Sequence, residues 1–187
     1  MSSMLKSFNN VLKGHLDFLV REFPVSEYPQ MSDVRVLQTA VEHLQSMNPR
    51  MVLKQYMYML SPLVREIFLR QEEFFTDPDN IKKQHPYFQD SNNVPVVSGY
   101  EDYCNQDTLI TKFLAIREFW DRIDEHKRDR IWKFFQAGLR IGAMASNDGT
   151  LLRYIDYLVN ATKGCKTTSD FSRVKTLSYG EYQANIA

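Results

Sequence analysis

The sequence predicts an all-α fold, a compact bundle of about six to eight helices with a long acidic loop and an extended C-terminal tail. Two observations lead there. Apolar residues recur at steps of three and four along most of the chain, as at Leu109, Phe113, Ile116, Trp120 and Ile123. Prolines and glycines number only seven each, and two prolines stand where helices start, so long helices have room. A chain of 187 residues with 43% hydrophobic and 25% charged residues fits one globular domain rather than a disordered or fibrous chain.

The first helix carries Leu5, Phe8, Val11/Leu12, Leu16, Leu19 and Phe23 on one stripe and is stopped by Pro24. In "SDVRVLQTAVEHLQSM", Ser32 is the expected N-cap and Asp33 sits in the first turn, with Val34, Leu37, Val41 and Leu44 facing inward. Asn48-Pro49 then closes this helix and opens the next, because a first-turn proline loses no intrahelical hydrogen bond. Ser61-Pro62 repeats the arrangement, so "NPRMVLKQYMYMLSPLVREIFLRQEEFFTD" reads as two short helices meeting at Ser61, or one helix kinked there. Its methionines, Met51, Met57 and Met59, suit core filling better than an adaptable groove.

Residues 76–107 hold three prolines, many Asn and Asp, and six acids against two bases. They read as a surface excursion, net −4 (two minus six), and as a first place to seek a partner. The periodic run 109–123 follows, and Asp124 caps a further helix bearing Ile131, Phe134, Phe135, Gly138, Leu139 and Gly142 on one face. These two helices are expected to form an antiparallel hairpin. The glycine pair, four apart on an apolar face, invites close approach of another helix. Asn147-Asp148-Gly149 makes the next turn, and Leu152, Ile155 and Leu158/Val159 mark a last helix.

From Lys163 the helical stripe stops. The expected organisation is a helical domain over 1–162 and an extended or disordered tail over 163–187, net +2 (four bases, two acids). Phe171, Arg173, Lys175, Tyr179 and Tyr182 are its candidate partner-binding residues, the aromatics filling pockets on a neighbour and the bases meeting an acidic surface. Extended, it would reach about 80–90 Å. On that reading, deleting it leaves the melting temperature nearly unchanged.

Catalytic and metal motifs are not in evidence. The four histidines are scattered singly, Cys104 and Cys165 lack ligand or CxxC spacing and are expected as reduced thiols, and no phosphate loop or nucleophile elbow occurs. Glu72-Glu73 and Glu101-Asp102 point apart along a helix and read as solvated acids. The expectation is no enzyme, no cofactor and no metal. No run is long and apolar enough for a membrane span, and the start lacks the apolar centre of a signal peptide. With 23 bases and 23 acids, nucleic acid is not an expected partner, though Arg130, Lys133 and Arg140 offer a basic face on the helix 124–146.

Two stretches carry a resemblance. Asn48, Pro49, Pro62, Ile67, Glu72, Glu73, Phe74 and Phe75 in the first, and Trp120, Ile131, Trp132, Lys133, Phe134, Phe135 and Gln136 in the second, form patterns similar to small all-helical proteins of large nucleocytoplasmic DNA viruses. The likeness spans about half the chain and consists of helix-packing positions; Gly138 and Gly142 stand where it has bulkier residues, and the tail has no counterpart. What it implies is a virion-associated structural protein, most concretely a minor capsid protein contacting other capsid or virion proteins or copies of itself, in the virion and in the host cytoplasm during assembly. The alternative is a viral regulatory or nucleic-acid-associated protein using the basic face.

Overall fold

A computed structural model describes residues 2–77 and 115–186. Their regular structure is all helical, with no strand among the described residues. Helix α1 (Ser3–Glu22) is capped by Ser2, whose hydroxyl accepts from the Leu5 amide at 3.3 Å, and buries the predicted stripe. Helix α2 (Met31–Met47) begins two residues earlier than an N-cap at Ser32 would set it, with Gln30 in the cap position. After Pro29 the chain already turns in single steps, with the amides of Met31, Ser32 and Asp33 donating to the carbonyls of Tyr28, Pro29 and Gln30, so the first amides need no side-chain cap.

Helix α3 (Pro49–Leu60) has Asn48 as cap and Pro49 in its first turn, as the sequence predicts. At Ser61 the two-helix reading holds. A 3-10 turn (Ser61–Leu63), containing Pro62 and lacking a side-chain cap, joins α3 to the short helix α4 (Val64–Phe68). Helix α4 ends in a Schellman motif: the Gln71 amide donates to the Glu66 carbonyl and the Arg70 amide to that of Ile67, which puts Arg70 at φ 50°. Helix α5 (Glu72–Thr76) follows. Except for Thr76 and Asp77, the acidic excursion lies outside the described residues, as do Leu109, Phe113 and Cys104.

The described end of the 109–123 run differs from the expected α-helix. Residues Ala115–Arg122 form a 3-10 segment broken at Phe119 (φ −127°, ψ 15°), and it packs against α2 and α5. Ile116, Phe119, Trp120 and Ile123 are nonetheless all buried, the i, i+3, i+4, i+7 set that the periodic run predicts as its inward face. Helix α6 (Glu125–Ala145), capped by Asp124, is the central element; it runs beside α1 and touches α3, α4 and α7 (Gly149–Ala161). Here the glycine pair has its explanation. A Cβ on Gly138 would collide with the Tyr56 hydroxyl, and one on Gly142 with the Met57 sulfur, so the missing side chains make room for Tyr56 and Met57 of α3 against α6.

The segment 163–187 is not extended throughout. It forms α8 (Thr168–Ser172) and α9 (Tyr179–Ile186), with only 174–178 extended between them. Each helix has a local start that a search for apolar stripes misses. In α8 the Thr167 hydroxyl accepts from the Asp170 amide while the Asp170 carboxylate accepts from the Thr167 amide. Ser178 and Glu181 exchange the same pair of bonds at the start of α9.

Candidate functional site

The C-terminal segment is held to the helical body at two places. At the first, Phe171 is buried with the Arg70 guanidinium 4.5 Å above its ring. Arg70 is fixed by a 2.9 Å ion pair with Asp129, which also takes Lys133 at 2.7 Å. Burial pushes the Asp129 carboxyl up, but the hydrogen bonds from Lys133 and Arg70 outweigh it and hold the group below the usual carboxylate range. Beside this contact runs a cleft of about 580 Å³ whose charged lining is balanced: Arg70, Arg128 and Lys166 against Glu72, Glu125 and Asp129. Arg128 pairs with Glu72 at 3.3 Å, so four of these six charges are already matched.

At the second place the body grips the backbone of 174–178. Arg65 donates to the Thr176 hydroxyl at 3.0 Å and to its carbonyl at 3.4 Å. The Tyr154 hydroxyl donates to the Leu177 carbonyl at 2.7 Å, and the Leu177 amide donates to the Tyr157 hydroxyl at 3.0 Å. Tyr179 and Tyr182 then lie over Tyr154, their centroids 5.0 and 5.1 Å away, and close it off completely. That burial pushes the Tyr154 phenol well above its ordinary range. Glu66, largely enclosed near the same cluster, is raised for the same reason.

Of the five predicted partner-binding residues, then, Phe171, Tyr179 and Tyr182 face their own body, whereas Arg173 and Lys175 are exposed. Leu177 and Ile186 are the segment's exposed large apolar residues, at 36% and 47%. Sequence reading missed Arg65, Arg70, Tyr154 and Tyr157 as the groups that hold the segment. Only the two capping boxes, "TTSD" and "SYGE", signalled that it was structured.

The basic face of α6 is locally matched. Arg130 lies over the Phe18 ring at 4.5 Å, Lys133 pairs with Asp129, and Arg140 pairs with Asp156 at 2.9 Å. Among the described residues, no three His, Cys, Asp or Glu side chains come together as a metal cluster, and no helix is long and apolar enough to cross a membrane. Cys165 is a free thiol. Compared with known proteins, the chain matches no family model, no curated protein and no solved structure.

Proposed function

We propose that the protein is a non-enzymatic structural component of a virion, a minor capsid protein that works by protein–protein contact in or beneath an icosahedral shell. The viral setting rests on the resemblance of the two helical stretches. The contact role rests on one observation: the body holds 174–178 by its backbone, which leaves Arg173, Lys175 and Leu177 displayed outward on a segment in fixed register. Backbone-held segments with free side chains suit recognition, because the ordering cost is met before the partner arrives. The partners would be other capsid or virion proteins, or further copies of this chain.

The reading as a regulatory or nucleic-acid-associated protein has less support, since Arg130, Lys133 and Arg140 each already face a ring or a carboxylate. Fractionation of assembled particles tests the proposal. Wild-type protein is expected to travel with the particles. R173E/K175E should keep its melting temperature and lose that association; free protein in both cases would overturn the reading.

A further inference from the structure

A second surface, separate from the C-terminal segment, lies where the start of α1, the first two turns of α3 and the end of α6 meet. It holds a pocket of about 470 Å³. Its apolar floor is Leu5, Leu53, Met57 and Ala145, and its basic rim is Arg50 and Lys54. Arg50, Leu53, Lys54 and Met57 follow one another at i, i+3, i+4 and i+7, so they form one face of α3. Two exposed methionines stand one residue from the pocket lining. Met4 and Met144, next in sequence to Leu5 and Ala145, are 37% and 40% exposed.

Among the described residues, the charged side chains lining the pocket have one sign. No acidic residue lines the pocket, and Arg50 and Lys54 are exposed with no ion pair among the described residues. Helices α1 and α3 both start here, and neither carries an acid in its first turn, so the positive ends of two helices add to the two side chains against the single negative end of α6. The nearby carboxylate of Asp148 is engaged as the cap of α7, accepting from the Leu151 amide at 2.9 Å.

We propose that this end of the bundle docks an acidic segment of a partner protein, with an aliphatic or aromatic side chain of that segment entering the pocket while its carboxylates meet Arg50 and Lys54. The exposed methionines favour a peptide over a small anionic amphiphile. They stand one residue from the pocket lining, and flexible apolar side chains of this kind adapt to an irregular partner face. The surface is distinct from the C-terminal segment, and the proposal stands without it.

The test is fluorescence anisotropy on the full chain. The probe is a short fluorescein-labelled peptide of glutamates with leucines at helical spacing; the controls replace leucine by serine or glutamate by lysine. Wild-type protein should bind the acidic leucine peptide saturably and more weakly as salt is raised. R50E/K54E should weaken it by about tenfold or more at an unchanged melting temperature. Ala145→Phe, which fills the floor, should weaken it while leaving both cations in place. The proposal is overturned if the lysine peptide binds as well, if R50E/K54E binds like wild type, if no saturable binding occurs, or if laurate binds the pocket and the acidic peptide does not. Particle association of R173E/K175E reports on the other surface, so the two proposals fail separately.

Discussion

The imidazole of His15 lies parallel to the ring of Phe134, with 4.9 Å between centroids and 4° between planes, and meets Phe135 edge-on at 4.7 Å. It is 2% exposed, at the seam between α1 and α6, and its Nε2 has no hydrogen-bond partner among the described residues. Burial therefore lowers its pKa to about 3, and the fold holds the ring neutral. The unfolded chain takes up this proton near pH 6.5 and the folded chain does not. Stability is therefore unaffected by this group above pH 6.5 and falls as pH drops toward 3, by up to roughly 1.4 kcal/mol per pH unit. Urea unfolding at a series of pH values should show the slope, and His15→Leu should remove one proton's share of it. An identical slope in the variant would place the acid sensitivity elsewhere.

Gly138→Ala should destabilise by about 1–3 kcal/mol, because the new methyl group meets a tyrosine ring fixed in the core rather than a mobile side-chain end. Shortening the obstacle with Tyr56→Leu should make the added methyl less costly. The double mutant is then expected to lose less than the sum of the single changes, measured by thermal unfolding. Additive losses would mean that Tyr56 is not what Gly138 accommodates.

Gly180→Ala should do the reverse. Gly180 lies within α9 with nothing within 4 Å of its would-be Cβ, so alanine removes only unfolded-state freedom. A gain of about 0.5–1 kcal/mol in the stability of that helix is expected, read as slower amide exchange across 179–186. Unchanged or faster exchange would show that α9 needs its glycine.

Trp120→Ala should cost about 3–5 kcal/mol, since the indole is 6% exposed and packs edge-on against Trp132 at 5.6 Å. A loss under about 1 kcal/mol would be incompatible with that burial.

Deleting 163–187 should lower the melting temperature, contrary to what an unstructured tail implies. The deletion removes buried Phe171 and exposes Tyr154, otherwise wholly enclosed. Tyr154→Phe alone should cost about 0.5–1.5 kcal/mol through the lost bond to Leu177. Equal melting temperatures for the full and shortened chains would mean the segment is not part of the core in solution.

The sequence by itself determined most of the helices and several of their starts. Caps such as Asn48 on Met51 or Asp124 on Lys127 are written within three residues, and an apolar stripe repeats within four. The same local rules, applied to Thr167–Asp170 and Ser178–Glu181, would have revealed α8 and α9; the stripe alone could not, because α9 buries no residue of its own. What only the tertiary structure decided involves partners far apart along the chain. Gly138 and Gly142 announced a close approach but not that Tyr56 and Met57 would make it. Nothing near position 15 says that a lone histidine stacks on Phe134, and nothing near Lys175 says that Arg65 reaches Thr176 across 111 residues. Nor does the spacing of Ile116, Trp120 and Ile123 say that Phe119 leaves helical geometry, where its ring packs against Phe23 and Tyr28 from far along the chain. Hydrogen bonds between near neighbours have the same partners in almost any fold and can be read directly; burial, and the charge state it imposes, exists only once distant helices have met.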